Sequence, residues 1–239
     1  KTTLGKVLNL YDETYFSPKS FNNHYGVPLS VSNLEKNHLY GVFEIGMSKK
    51  GEIDRLSKIV KPHIAIITNI AEAHIENFKN IKEIAKAKSE IINNVEKNGT
   101  VILNRDDRFF KYLNFLAKRK KLNVLSFGYS KKADVYPINI KKTKKKTLIK
   151  IKVVDENILL KINNINILNI LIILAVLKKL KLNFNKINSF FKNNQSLEGR
   201  GKLYKVNRYK INFRLIDESY NANPLSMKNA ILDLSHLKK

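Results

Sequence analysis

Two patterns of apolar and polar positions divide the chain. Up to residue 127, short apolar runs alternate with stretches of helical period. Leu39–Ile45, Ile64–Ile70, Thr100–Leu103 and Asn123–Phe127 read as short buried strands. Between them, Gly51–Val60, Ile81–Val95 and Asp106–Lys118 read as helices. Strand–helix alternation predicts a parallel sheet with crossover helices. After Phe127 the period drops to two. Asp134–Ile140, Thr147–Val154 and Asn157–Ile162 then read as antiparallel strands. Two helices follow, about Asn164–Leu180 and Asn185–Asn193. A second antiparallel pair, Leu203–Asn207 and Tyr209–Ile216, precedes a last helix over Leu225–Leu237. The expected fold class is α/β, a mostly parallel sheet with an added antiparallel part.

The pattern breaks near Leu197–Lys202, at Glu198-Gly-Arg-Gly-Lys202, which sets the expected boundary. The roughly forty residues after it are too few for an independent core. No internal repeat is present. The longest apolar stretch, Ile165–Leu177, is interrupted by Asn166 and Asn169 and is too short for a membrane span. It fits a helix buried on most sides. The chain has no Cys, which excludes disulfides and thiolate metal sites and fits a reducing compartment. No secretory signal opens the sequence. The first residue is Lys1 rather than Met, so the chain is expected to begin inside a longer reading frame.

The formal net charge of +25 raises the question of a nucleic-acid partner. The lysines, however, are spread along the whole chain, with one cluster at Lys141–Lys146. Aromatic residues are not interleaved with that cluster as a stacking platform requires. It reads as a solvated hairpin loop, and no nucleic-acid partner is expected. A basic nucleic-acid-binding module stays as the distant alternative. The charge does favour approach of anionic nucleotides.

Several polar residues stand where chemistry collects. Leu215-Ile-Asp-Glu-Ser-Tyr-Asn-Ala-Asn-Pro-Leu-Ser-Met227 is a strand ending in a polar loop, and strand ends in α/β proteins are where ligands bind. Its Asn, Pro and Ser are also ordinary turn residues. The paired amides of Asn22 and Asn23 suit a sugar or peptide. Glu44 lies near the end of one expected strand and His74 after the next, so both can face one crevice. Carboxylate and imidazole around Mg²⁺ would offset phosphate charge. Lys88 falls on the apolar stripe of its helix, three residues from Ala85 and from Ile91, whereas Lys79, Lys82 and Lys86 fall elsewhere. An inward Lys is rare without a partner, and desolvation favours its neutral form; a Lys snorkelling from the helix edge is the other reading. Asn104 closes a strand, with Asp106 a candidate cap for the next helix. Asn166 and Asn169 share one helix face.

Taken in order, these segments resemble the Mur ligase family. The carriers are Lys1-Thr-Thr3, Ser20-Phe-Asn-Asn-His-Tyr-Gly-Val-Pro-Leu29, Tyr40–Gly46, Asn69–Phe78, Ala85-Lys-Ala-Lys-Ser-Glu-Ile91, Asn104-Arg-Asp-Asp107, Glu198-Gly-Arg200 and Asp217–Met227. The resemblance implies a P-loop-type three-layer central ATP-binding domain over 1–198, lacking its loop glycines. Residues 199–239 would begin a Rossmann-like C-terminal domain. It implies that Lys1 meets the terminal phosphates, with Thr2 and Thr3 beside it and Thr2 on Mg²⁺. Glu44, His74 and a carbamylated Lys88 would be metal-side residues, with Lys1, Lys88 and His74 catalytic. Asn104, Asn166, Asn169, Arg200 and Asp217 would face ATP. Asn22, Asn23, Ser219, Asn221 and Asn223 would face the other substrates. Two positions depart from the pattern: Ile165 stands where the family usually has His, and Glu198 where it has Pro.

Asn22–Leu29 and Asp217–Met227 are most similar to the branch that joins D-alanyl-D-alanine to UDP-N-acetylmuramoyl-tripeptide. The implied protein is a cytoplasmic, monomeric, ATP- and Mg²⁺-dependent peptide ligase of cell-wall precursor synthesis. Its tripeptide carboxylate would be activated as an acyl phosphate. A Mur ligase adding a different amino acid is the near alternative. An incompetent fragment is the other, because the resemblance implies a uridine-binding first domain and most of a third domain beyond these 239 residues. The 239 residues alone are expected not to ligate.

Overall fold

The computed structural model describes the chain except for residues 73–74, 144–146, 164–165, 194–198, 200, 209–210, 221–226, 229, 232–233 and 235–239. The chain opens with helix α1 (Thr2–Leu8), strand β1 (Thr14–Phe16), helix α2 (Gly26–Ser32) and strand β2 (Tyr40–Val42). Helix α3 (Glu52–Val60), strand β3 (Ile64–Ile67) and helix α4 (Ile81–Ser89) follow, α4 tightening into a 3₁₀ turn over Glu90–Asn94. Then come β4 (Thr100–Asn104), α5 (Phe110–Arg119) and β5 (Asn123–Phe127). The antiparallel part is β6 (Val135–Lys142), β7 (Thr147–Val153) and β8 (Glu156–Ile162). Helices α6 (Ile167–Lys179) and α7 (Ile187–Asn193) lead to a hairpin, β9 (Lys202–Arg208) and β10 (Ile211–Asp217).

Strands β3 to β8 form one sheet in sequence order. The β3–β4, β4–β5 and β5–β6 pairs are parallel, and β6–β7 and β7–β8 antiparallel. Strands β1 and β2 pair in parallel separately. The change from crossover to meander thus falls after Phe127, where the apolar period changes. Alternation along β4 shows how the parallel part of the sheet is covered on both sides. Ile102 joins the core made with α1, α6 and α7, while Val101 and Leu103 join the core made with α4 and α5. Every residue of Ile170–Leu177 in α6 is buried. Each such aliphatic side chain contributes about 1.5–3 kcal/mol. Asn166 and Asn169 therefore mark the start of a buried helix; Asn166 caps it, its side chain accepting from Leu168 N at 2.9 Å.

Three expectations are corrected. Helix α5 starts at Phe110, four residues later than its pattern indicates. Asp107, not Asp106, binds the amide at its entry, accepting from Phe109 N at 2.8 Å. Strand β2 ends at Val42, so Glu44 lies in the segment beyond it. Helices α1 and α2 and strand β1 were not apparent from periodicity, being only 7, 7 and 3 residues long. Helices this short depend on tertiary contact rather than propensity. Gly5 permits that contact in α1, since a Cβ there would sit 2.4 Å from the Phe16 ring. The last expected helix, Leu225–Leu237, lies mostly outside the described residues. Among the described residues no helix is long and apolar enough to cross a membrane.

Replacing Ile102, fully buried on the central strand, tests this two-core arrangement. Ile102→Ala is expected to destabilise the chain by about 2–5 kcal/mol and Ile102→Val by about 0.5–1.5. The check is urea unfolding followed by circular dichroism.

Candidate active site

Lys1 caps the N-terminal end of α1 without a side-chain cap bond. Its side chain is only 6% exposed, and its ammonium lies 3.9 Å from Glu44 Oε2 while donating to the Lys19 carbonyl. Glu44 keeps 42% of its side chain exposed. Its other oxygen accepts from Asn22 Nδ2 at 3.4 Å. The Asn22 carbonyl in turn accepts from Gly46 N at 2.8 Å. A Cβ at Gly46 would press on the Asn22 amide at 3.0 Å, so the glycine lets the two segments close up. The fold thus brings together Lys1, Asn22 and Glu44, which are far apart in sequence. Thr2 and Thr3 occupy the adjoining first turn. Asn23 has a different place: its Oδ1 accepts from Tyr25 N at 3.2 Å and Gly26 N at 2.9 Å, opening α2.

A second group lies at the carboxyl ends of β3 and β4. Lys88 is partly buried on α4 beside buried Ile84, Ala85 and Ala87, whereas Lys82 and Lys86 are exposed. The inward stripe therefore holds. Lys88 Nζ donates to the Asn69 carbonyl at 2.9 Å. Burial pulls its basicity below the ordinary lysine range, partly opposed by the Asp107 charge. Asp107 also accepts from Ile70 N at 2.6 Å, fixing the strand β3 exit. Asn104 Nδ2 donates to the Thr68 carbonyl at 3.2 Å, and its Oδ1 accepts from Asp106 N at 3.0 Å. Asp106 holds the loop after β5 through Ser130 N at 3.1 Å and Tyr129 N at 2.5 Å. Asn69 and Asp107 were missed as site-forming groups. Asp107 was discernible only as half of an acidic pair, and the Asn69 contribution is a backbone carbonyl that no side-chain pattern reveals.

The third group is a turn at the foot of the hairpin. Asp217 accepts from Ser219 Oγ at 2.6 Å, Ser219 N at 3.1 Å and Gly199 N at 3.0 Å. The Ser219 hydroxyl and amide, then the Gly199 amide and Lys202 charge, hold the carboxyl below the usual range. Gly199 has a φ of 69°, with Tyr220 Cβ 2.8 Å from where a Cβ would stand. Tyr220 OH meets Ser20 Oγ at 2.8 Å, joining this turn to the loop that receives the Lys1 ammonium. Asn166 and Asn169 sit side by side and exposed at the start of α6. His74, Arg200, Asn221 and Asn223 lie outside the described residues.

A half-buried ammonium–carboxylate pair, a desolvated amine on α4 and amides at strand ends suit the handling of a phosphorylated, carboxylate-bearing substrate. The Mur ligase middle domain matches residues 1–177, and the chain belongs to the Mur ligase family. Among its relatives, the UDP-N-acetylmuramoyl-tripeptide--D-alanyl-D-alanine ligase of Rickettsia prowazekii is 33% identical over 95% of this chain and 51% of its own length. The ligase of that name from Buchnera aphidicola subsp. Baizongia pistaciae is 30% identical over 99% of this chain and 51% of its own. The crystal structure of MurF from Acinetobacter baumannii superimposes with a TM-score of 0.89 at 28% identity, covering 100% of this chain and 51% of that one. The chain spans about half the length of the curated relatives it matches.

The Lys88 environment has a measurable signature. Because its folded pKa is lowered, the unfolded state holds more protons between that pKa and the ordinary lysine value. Stability therefore rises with pH across that window. Lys88→Met is expected to remove this increment. Urea unfolding at pH 7 and in the alkaline range should show the native chain gaining on the variant as pH rises.

Proposed function

We propose that the chain is the ATP-handling part of a ligase that joins D-alanyl-D-alanine to UDP-N-acetylmuramoyl-tripeptide. The observation that carries this reading is the match along 95% of the chain to a ligase of that name. In this reading residues 1–198 form the central ATP-binding domain, and 199–239 begin the C-terminal domain. The tripeptide carboxylate attacks the γ-phosphate of ATP, ADP leaves, and the dipeptide amine then displaces phosphate from the resulting acyl phosphate. Positioning and electrostatics supply most of the catalysis in such transfers.

The residues present fit Mg²⁺. Thr2 and Glu44 offer the hard oxygen donors it prefers, and the Glu44 carboxylate stays partly open beside Lys1. When bound, Mg²⁺ offsets negative charge on the transferring phosphoryl group. Lys1 supplies a fixed positive charge beside Glu44. It exchanges the Lys19 carbonyl for a phosphate oxygen when nucleotide enters. Lys88, partly buried and hydrogen-bonded to Asn69, fits a neutral amine that would take up carbon dioxide as a carbamate, an anionic oxygen ligand; Glu44 and His74 would be the other metal-side residues. Asn104, Asn166, Asn169, Arg200 and Asp217 face the nucleotide. Asn22, Ser219, Asn221 and Asn223 face the peptide substrates, with Asn23 shaping that wall through the α2 cap.

The test is product identification with a full-length ligase carrying these 239 residues. It is incubated with UDP-N-acetylmuramoyl-tripeptide, ATP, Mg²⁺ and a mixture of D-alanyl-D-alanine with single amino acids. Mass spectrometry should find only the dipeptide adduct, with one phosphate released per bond. A single amino acid in the product moves the chain to another branch, and no product overturns the reading. Lys1→Ala should lower kcat by roughly 10²–10³-fold, the scale for losing one charge-stabilising donor.

A further inference from the structure

Helix α3 begins at Gly51, which has a φ of 85° and no side chain with which to cap it. The first amides of a helix have no intrahelical partner. The common solution is local: the N-cap side chain accepts from the third helical residue, whose own side chain reaches back to the N-cap amide. Neither half of that exchange occurs here. Asp54, the third helical residue, turns its carboxylate to Lys58 at 2.7 Å and Asn94 at 3.0 Å. Both amides are instead taken by one distant carboxylate. Glu90 accepts from Gly51 N at 2.8 and 3.1 Å and from Asp54 N at 3.2 Å.

Glu90 ends α4, two residues beyond Lys88. The segment it holds runs back from Gly51 to Glu44, and Glu52 gathers that segment by accepting from Ser48 N at 2.6 Å and Lys49 N at 2.9 Å. One carboxylate therefore ties the end of the Lys88 helix to the chain that carries Glu44. We infer that Glu90 is a positioning residue, capping α3 from the end of α4 and thereby fixing the segment that carries Glu44 relative to the helix that carries Lys88. This rests on the proposed roles of those two residues. Asn94 supplies an internal control: its Nδ2 donates to Asp54 O at 3.0 Å and Ser57 Oγ at 2.8 Å, holding α3 to the end of the 3₁₀ turn that follows α4, farther along the chain from Lys88.

The chain has no Cys, so a spin-label pair goes in cleanly at the exposed positions Lys49→Cys and Lys86→Cys. Electron–electron resonance on the 239-residue chain then reads the spread of distances between the Glu44 segment and α4. Glu90→Ala is expected at least to double that spread in a chain still folded by circular dichroism, and Asn94→Ala to leave it unchanged. Glu90→Gln keeps one acceptor oxygen and should give an intermediate spread, which also serves if Glu90→Ala does not fold. In a full-length ligase, Glu90→Gln should lower kcat roughly tenfold or more, the scale of a small misplacement, with KM for ATP within twofold. An unchanged spread in both Glu90 variants, or equal broadening by Asn94→Ala, overturns the inference. So does an unchanged kcat in an active ligase. The distance measurement does not depend on ligation, so a protein that fails to ligate removes the functional reading and leaves this result intact.

Discussion

The constraint on which the structure depends is that the parallel part of the sheet must be dry on both faces. In β4, Ile102 points into one core and Val101 and Leu103 into the other. Parallel strands of this kind survive only when helices cover both sides. Those helices leave the strand ends as the place where polar groups remain accessible. Asn69, Asn104 and Asp107 lie at or beyond the ends of β3 and β4, and Lys88 reaches them from α4. The chemistry is where the packing permits it.

Position in this crevice is set largely by backbone amides and carbonyls. Lys88 is held by the Asn69 carbonyl, Asp106 by the Tyr129 and Ser130 amides, and Glu90 by the Gly51 and Asp54 amides. Charged side chains bound to a rigid main chain have few alternative geometries. The exposed ion pairs, such as Lys86–Glu83, contribute little by comparison. The large positive charge of the chain therefore says less about the site than the few acids whose surroundings fix them.

Much of the architecture was legible because its signals are local. The fall in apolar period after Phe127 marked the switch from parallel strands to the β6–β8 meander, and β5 was bounded to the residue. Lys88 stood out because its helical stripe is otherwise apolar. Other features leave no local trace. Helices α1 and α2 are too short to display a period. Asp106 and Asp107 are adjacent and chemically alike, so only coordinates show which one meets α5 and which the β5 loop. Lys1 finds Glu44 through tertiary folding, and the partners of Glu90 are main-chain groups with no signature in residue type.

The turn at the foot of the β9–β10 hairpin has a mechanical meaning. Asp217 grips Gly199 through its carboxylate, and its carbonyl accepts from Gly201 N at 2.8 Å. Entry and exit of the hairpin are thus knotted at one point, and Tyr220 N is tied back to the Gly199 carbonyl at 3.1 Å. The glycines at 199 and 201, with φ of 69° and 76°, stand within this knot, both amides being held by Asp217. The hairpin is thereby linked to Tyr220, and through the Ser20 contact to the loop holding the Lys1 ammonium. A change of hairpin position therefore has a continuous path of hydrogen bonds to the proposed phosphate site.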